Sequence, residues 1–299
     1  MAIKNFYCGL CGQNKHHLVA SKLRDGSLRN KIYRCIACAH VQLFPQPTPE
    51  QEILFYALNQ QDKSAGKEIS FRTLKENNAF DTARHVDFVT KLCHSKRSRF
   101  LDIGSGYGFF IDAMYRRGFR KVVGIEISKE RRAISKGKIA APLIGADIMS
   151  ETPNGGPFDV ITMFHVLEHM RNPVDFLARG KSLLSKGGKL VCEVPNVGEL
   201  LLRTCKAYND FYWIRAHLHY FSASTLARCF RKAGFKRVRV YHEQRYGLEN
   251  LFHWLLIGKP QIKKPQFTMD REYRDVESFY KKQMALRGAS DAIIAVGNS

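Results

Sequence analysis

The middle of the chain alternates short hydrophobic runs with longer amphipathic segments. The short runs are typical of buried β-strands, and the longer segments have the hydrophobic spacing of helices. This alternation predicts βαβ units, and therefore an α/β fold with a parallel sheet covered by helices on both faces. The predicted strands are 100–103, 122–127, 143–144, 160–164, 190–194 and 235–241, and the predicted helices are 109–117, 128–136, 173–184 and 224–232.

Other regions surround or interrupt this pattern. Residues 1–48 contain paired cysteines and end in a proline-rich stretch, which predicts a small N-terminal domain. Residues 49–98, with an apolar run at 53–58, predict a helical linker or lid. Residues 99–299 form the predicted large domain, with an insertion at about 242–290.

The insertion contains a strongly apolar segment at 248–257. We expect this segment to cover a ligand pocket, to form a dimer contact, or to make peripheral contact with a membrane surface. Packing onto the body of the protein is the commoner arrangement. Its longest apolar run, 251–257, is far shorter than the roughly 20 residues that span a bilayer, so no transmembrane helix is expected.

Length and cysteine usage point to a multi-domain protein of a reducing compartment. A chain of 299 residues exceeds the usual size of one domain, and its 44% hydrophobic content is that of a globular protein. The N-terminus shows neither an apolar leader nor a cleavage site. Cys93, Cys192, Cys205 and Cys229 occur singly, unlike a disulfide framework. A cytoplasmic location is therefore predicted.

The charge balance is the one compositional extreme. The chain has 48 Lys and Arg against 27 Asp and Glu, a formal net charge of +21. Such a charge favours anionic partners, which include nucleic acid, nucleotide-linked sugars and acidic lipids. The basic residues occur in many short groups instead of one tail, so the charge alone does not choose among these partners.

A glycine-rich loop follows the first predicted strand and opens a helix. Its sequence, LDIGSGYG at 101–108, places glycines where a backbone must turn tightly and approach a ligand. A dinucleotide-binding fingerprint would require glycine at position 109, where this chain has Phe109. Asp102, just before the first glycine, suits the cationic amino group of a methionine moiety better than a pyrophosphate.

Two further carboxylates end the next strands. Glu126 lies 20 residues after Gly106, a separation at which a carboxylate can accept hydrogen bonds from both hydroxyls of a ribose. Asp147 closes the third strand and could accept a hydrogen bond from an adenine amino group. A helix cap is the alternative role for Asp147 and is favoured for that residue taken alone.

These motifs, in this order, resemble those of the class I S-adenosylmethionine-dependent methyltransferases. The resemblance also includes the segments FDVI at 158–161, HVLEH at 165–169 and GGKL at 187–190. It implies a Rossmann-like seven-stranded, mostly parallel sheet with a final antiparallel strand, here at 291–296. The donor-binding residues that it implies, with S-adenosyl-L-methionine as cofactor, are Asp102, Gly104, Ser105, Gly106, Glu126, Ile127, Asp147, Ile148, Phe164 and His165.

Two C-x-x-C pairs lie near the N-terminus. Cys8 and Cys11 form one pair, Cys35 and Cys38 form the other, and 23 residues lie between the two pairs. Each pair can place two thiolates on one tetrahedral ion, which predicts a structural Zn²⁺ site because four thiolates leave no open position. Redox motifs or disulfides are the alternatives, but redox motifs should lie near a βαβ pattern and the predicted compartment disfavours disulfides.

A bacterial subgroup of these methyltransferases carries a similar N-terminal four-cysteine domain. The subgroup includes enzymes that methylate carbon on nucleotide-linked deoxysugars, where a Tyr-His-Glu-His segment supplies a base. The comparable segment here is AHLHYFS at 216–222, with Leu218 in place of the carboxylate, and the long C-terminal domain of the sugar enzymes is absent. The resemblance predicts His219 as the base, with His217 and Tyr220 beside it. A histidine that is merely hydrogen-bonded under the lid is the alternative for His219.

The sequence therefore predicts an S-adenosylmethionine-dependent methyltransferase acting on a small-molecule or glycan-linked acceptor, including nucleotide sugars. Two other classes stay open. Methylation of RNA or another nucleic acid is supported by the net charge and by a zinc module that could hold RNA. The third possibility is a non-catalytic binding or regulatory protein that has kept the fold that binds the methyl donor.

Overall fold

The computed structural model describes residues 6–27, 29–48, 51, 70–93, 95–260 and 271–299. The apolar run at 53–58, predicted to be part of a lid, lies outside the described residues. Within the described residues, no helix combines the length and apolar character needed to cross a membrane.

The large domain is built on a seven-stranded sheet. The strands are β4 (Phe100–Ile103), β5 (Val122–Ile125), β6 (Leu143–Ile144), β7 (Phe158–Phe164), β8 (Leu184–Pro195), β10 (Arg237–Glu243) and β11 (Ala292–Asn298). Their spatial order is β10-β11-β8-β7-β4-β5-β6; neighbouring strands from β8 to β6 are parallel, whereas β11 is antiparallel to both of its neighbours. This confirms the mostly parallel sheet and the antiparallel final strand.

The central strands are apolar on both faces because helices cover both faces. Leu101, Ile161 and Leu190 are completely buried in the middle of β4, β7 and β8, as expected for parallel strands between helical layers. The described helices are α1 (Phe71–Asn77), α2 (Ala79–Leu92), α3 (Phe109–Arg116), α4 (Lys129–Ser135), α5 (Pro173–Ser182), α6 (Leu200–Thr204), α7 (Lys206–Tyr212), α8 (Ala223–Lys232), α9 (Leu248–Phe252) and α10 (Arg274–Leu286).

Some strand boundaries differ from those predicted. The strand predicted at 122–127 ends at Ile125, because the Glu126 side chain bonds the backbone of the following turn. The strand predicted at 235–241 begins two residues later, because Phe235 closes the turn after α8 and packs on Phe230, with the ring centroids 5.1 Å apart. Strand β8 is longer than predicted and begins before Gly187, whose backbone φ is +76°.

A second, four-stranded sheet joins the N-terminal region to the large domain. The order is β1-β2-β3-β9, where β1 is His16–Ala20, β2 is Lys31–Cys35, β3 is Val41–Phe44 and β9 is His219–Tyr220. In the antiparallel pairing of β3 with β9, Val41 faces Tyr220 and Gln42 faces His219. Leu43, Leu218 and Trp213 are buried in the same apolar cluster. The two regions therefore share both a backbone ladder and a core.

The insertion packs one face onto the large domain. After α9 the chain continues as a π-helical turn, His253–Ile257. Trp254 is buried against Leu201 and Cys205, whereas Phe252, Leu255 and Leu256 are exposed. The segment predicted at 248–257 thus makes the packing contact with the body of the protein and presents a second apolar side to solvent.

Candidate active site

The glycine loop between β4 and α3 has the backbone that its sequence predicts. Gly104, Gly106 and Gly108 all have positive φ values, at +72°, +56° and +76°. A Cβ atom on Gly104 would lie 2.5 Å from the Val166 side chain, so only glycine fits there. A Cβ atom on Gly106 would meet nothing within 4 Å. The loop is therefore packed against the chain after β7 on one side and open at Gly106.

Glu126 anchors this loop to the end of β5. Its Oε2 accepts a hydrogen bond from the Gly106 N–H and its Oε1 accepts one from the Ser128 N–H, both at 2.8 Å. The side chain is buried. Each carboxylate oxygen has a further lone pair, so the predicted contact with ribose hydroxyls is compatible with this geometry and stays a prediction.

The Asp102 side chain connects the same loop to β7. Its Oδ2 accepts a hydrogen bond from the Ser105 hydroxyl and its Oδ1 accepts one from the Thr162 hydroxyl, both at 2.6 Å. Burial raises the pKa of the Asp102 carboxyl to about 6, against the opposing effect of these two hydrogen bonds. The predicted contact between Asp102 and a methionine amino group is not tested by these contacts.

The remaining predicted donor residues lie along the carboxyl ends of β5, β6 and β7. Ile127 is exposed beside Glu126, and Ile148 is buried. Asp147 is exposed, and its Oδ1 accepts a hydrogen bond from the Met149 N–H at 2.9 Å within a turn, not at the start of a helix as its alternative role would require. Phe164 stacks on the His85 ring, with centroids 3.7 Å apart.

A buried ionic cluster surrounds Glu193 at the end of β8. Arg84 donates two hydrogen bonds to the Glu193 carboxylate, at 2.6 and 2.7 Å. Nitrogen atoms of His85 and His165 lie 3.2 and 3.1 Å from the same carboxylate. Burial alone would raise the pKa of Glu193, but these contacts hold it well below its ordinary value. Sequence reasoning missed Arg84, His85 and Glu193. The signal that could have revealed this cluster is Glu193 itself, an acidic residue within an otherwise apolar strand.

His165 connects the predicted donor site to this cluster. Its Nδ1 lies 3.3 Å from Glu168, its Nε2 lies 3.1 Å from Glu193, and its backbone φ is +55°. Burial lowers the pKa of His165, but the close contacts with the Glu168 and Glu193 carboxylates outweigh burial and raise it to about 9. The imidazolium form is therefore the stable one at neutral pH.

The three side chains proposed for base catalysis differ in their access to a ligand, although the rings of His217 and Tyr220 lie 5.6 Å apart, centroid to centroid. His219 is completely buried; its Nδ1 lies 2.9 Å from His40 Nε2, and its Nε2 lies 3.2 Å from the Arg171 carbonyl oxygen. The Tyr220 hydroxyl donates a hydrogen bond to the Ile214 carbonyl at 2.9 Å and is also buried. His217 lines a cavity instead. Both nitrogens of His219 are engaged, so this geometry gives no support to His219 as the base.

That cavity has a volume of about 790 Å³ and lies between the N-terminal region and the large domain. Its size is within the range of small-molecule sites. The cationic side chains of Arg24, Arg29 and Arg215 line it, and His169 and His217 form part of the wall on the large-domain side. Sequence reasoning could not place Arg24 and Arg29 near His217, because the two regions are far apart along the chain.

The four N-terminal cysteines converge on one point. Cys8 Sγ lies 3.6 Å from Cys38 Sγ, and Cys11 Sγ lies 3.5 Å from Cys35 Sγ, with all four sulfurs within 4.8 Å of one another. Four thiolates at about 2.3 Å from a tetrahedral ion would be about 3.8 Å apart. All four thiols are free, and their arrangement fits a zinc ion.

Comparison with known proteins agrees with this geometry. A family model described as a methyltransferase domain matches residues 74–240, more than half of the 299 residues. The chain belongs to this family, and its sheet is that of the class I S-adenosylmethionine-dependent methyltransferases. In fold, it is similar to a SAM-dependent methyltransferase from Archaeoglobus fulgidus, with a TM-score of 0.52 and 18% identity over 82% of this chain and 100% of that one.

Curated relatives share part of the sequence. A tRNA U34 carboxymethyltransferase from Actinobacillus pleuropneumoniae serotype 3 is 30% identical over 53% of this chain and 53% of its own length. A ubiquinone biosynthesis O-methyltransferase from Nitrosococcus oceani is 35% identical over 41% of this chain and 52% of its own length. The chain thus spans about half the length of these curated relatives.

Proposed function

We propose that this chain transfers a methyl group from S-adenosylmethionine to an anionic small-molecule or glycan-linked acceptor, a class that includes nucleotide sugars. The observation that carries the proposal is the cavity, whose lining includes three arginines, Arg24, Arg29 and Arg215, and one carboxylate, Asp25. Cationic side chains around a cavity favour an anionic ligand, and the net charge of +21 would attract one from a distance.

The donor would bind at the open backbone of Gly106, between Glu126 and the end of β7. Val166, which contacts Gly104, directly precedes the helical turn Leu167–His169, and His169 lines the cavity. One turn of chain therefore separates the proposed donor and acceptor sites. In this arrangement the protein contributes mainly the alignment of the acceptor atom with the methyl group and sulfur.

Of the three residues predicted for catalysis, His217 is the one that would contact the acceptor, because it lines the cavity. Burial, and then the neighbouring charge of His169, lower the pKa of His217 to about 3, so its ring is neutral at physiological pH. A neutral imidazole has a free lone pair, which can either accept a hydrogen bond from an acceptor hydroxyl or bind a metal ion. His219 and Tyr220 would instead hold β9 against the N-terminal strands.

Zinc at Cys8, Cys11, Cys35 and Cys38 is part of the same proposal. The spacing of the sulfurs supports it, and four thiolates would give the ion a structural role. The ion would hold the loops that precede β1 and follow β2, whereas Arg24 and Arg29 of the cavity lie in the connection between these two strands.

Nucleic acid is a second candidate acceptor. The net charge and the likeness to a relative named as a tRNA U34 carboxymethyltransferase favour it. Binding of this kind should weaken steeply with salt, because cationic side chains displace counterions from phosphates.

Transfer of a labelled methyl group distinguishes these acceptors. We expect the purified protein, supplied with methyl-labelled S-adenosylmethionine and a cell extract, to label anionic small molecules or glycans. Arg29→Glu should lower labelling at least tenfold, whereas the matched control Lys186→Glu, an exposed site early in β8, should not. Label in the RNA fraction would favour the second candidate, and no label despite donor binding would favour a non-catalytic protein.

A further inference from the structure

A second group of ligand-type side chains lies beside the cavity, apart from the four cysteines. Its members are Glu168 and His169, from the turn after β7, and His217, from the segment before β9. One ligand atom from each residue lies within 4.8 Å of the others. Two imidazoles and a carboxylate with one open side form the ligand set of catalytic zinc sites, unlike the closed set of four thiolates.

Glu168 supplies the second, independent observation. Its side chain is only 1% exposed, and neither carboxylate oxygen has a hydrogen-bond partner within the described part of the chain. His165 Nδ1 lies 3.3 Å from Oε1 and forms an ion pair with it, whereas Oε2 has neither a hydrogen bond nor an ion pair among the described residues. Buried carboxylates ordinarily accept hydrogen bonds or bind metal. The unpartnered Oε2 is therefore the atom through which Glu168 would bind a ligand.

His169 has the orientation of a metal-binding histidine. Its Nδ1 lies 2.8 Å from the carbonyl oxygen of Ala216, so Nδ1–H donates to that carbonyl and Nε2 keeps its lone pair. A backbone carbonyl on the far ring nitrogen is the usual way in which a zinc-binding histidine is oriented. His217 follows Ala216 directly, and its ring lies 5.0 Å from that of His169, centroid to centroid.

The cavity provides the open side. His169 and His217 both line it, so an ion held by these residues would have a coordination position directed toward the acceptor space. We propose that Glu168, His169 and His217 bind a divalent transition-metal ion of the zinc type, with an open position in the cavity. The ion would bind an anionic oxygen of the acceptor and polarise it. The polarising role of the ion rests on the proposed methyl transfer, whereas the metal site itself does not depend on that function.

Zinc content tests the site on the full-length protein. The protein is equilibrated with excess zinc sulfate, dialysed against zinc-free buffer, and its zinc measured by atomic emission. We expect Glu168→Gln and His217→Gln to contain one ion fewer per chain than the wild type, and the exposed control His17→Gln to match the wild type. Equal zinc in the wild type and in the two site variants would overturn the proposal, whatever the four cysteines hold.

Cobalt provides a second readout that does not depend on how each variant folds. Wild-type protein, with its thiolate site first filled with zinc, is titrated with Co²⁺ and its visible absorption recorded. We expect a ligand-field band without thiolate charge transfer, and one further cobalt per chain. Absence of that band in the wild type would contradict the site. Binding of S-adenosylmethionine, measured on the same samples, reports separately on the proposed function.

Discussion

Glu193 shows how much one buried charge depends on residues far away in sequence. It lies in the apolar end of β8, and its carboxylate is held by Arg84 and His85 of α2 and by His165 after β7. A buried carboxylate that loses its partners is strongly destabilising. We infer that this cluster fixes the backbone around His165, next to the proposed donor site.

The shifted pKa of His165 predicts a pH dependence of stability. Because its folded-state pKa of about 9 exceeds its ordinary value of 6.5, its contribution is complete below about 6.5 and is lost as the pH rises through 9. We therefore expect the wild type to lose its advantage in unfolding free energy over His165→Gln across this interval. Urea denaturation at several pH values measures this difference. A difference that grows with pH would contradict the assignment.

At the residue scale, the sequence predicts local features better than distant ones. Glycine spacing and the separation of Gly106 from Glu126 predicted the loop and its partner, because both belong to one βαβ unit. Arg84, which donates two hydrogen bonds to Glu193, is 109 residues away in the sequence, where no local pattern connects the two residues. His219 was chosen by position in a motif, and its burial under His40 depends on strand pairing that the motif does not contain.

At the scale of elements, β9 is the connection that matters most. Two residues, His219 and Tyr220, extend the N-terminal sheet into the large domain. Gly9 of the first cysteine pair packs on the same strand, since a Cβ atom there would lie 2.9 Å from the His219 ring. The periodicity of the sequence predicted the larger sheet, but a strand this short carries no periodic signal.

Removing the cysteine ligands should affect the N-terminal sheet selectively. We expect Cys8→Ser combined with Cys35→Ser to lower zinc content by one ion per chain and to make the first 45 or so residues sensitive to proteolysis, because a short segment has little core of its own. Donor binding should persist, since the glycine loop belongs to the other sheet. Atomic emission and limited proteolysis measure these effects. Unchanged zinc in this variant would exclude the four-cysteine site.

The insertion before β11 offers a matched pair of substitutions. Trp254 is buried against Tyr208 and Phe211, with ring centroids 4.9 and 5.0 Å away, whereas Leu256 is 67% exposed. We expect Trp254→Ala to lower the free energy of unfolding by about 3 to 5 kcal/mol. Leu256→Ala should change it by less than about 0.5 kcal/mol. Equal effects of the two substitutions, measured by thermal or urea denaturation, would contradict this packing.

At the scale of the whole molecule, two regions enclose one cavity. The N-terminal region contributes Arg24 and Arg29, and the large domain contributes His169, Arg215 and His217. The composition gives the net charge but not the positions of the charged residues. The arginines line one cavity only because the two sheets associate, which the sequence alone did not predict. We infer that the four-cysteine region does more than add stability, because it supplies part of the proposed acceptor site.

Binding of S-adenosylmethionine by the intact protein, measured by isothermal calorimetry, tests the central claim most directly. We expect the wild type to bind it, and Glu126→Ala to bind it more weakly by about 1.5 to 3 kcal/mol, the usual loss of a hydrogen bond to a charged group. The control Glu151→Ala, an exposed residue in the loop after β6, should bind as the wild type does. Absence of binding by the wild type, or equal affinity of Glu126→Ala and wild type, would contradict the assignment.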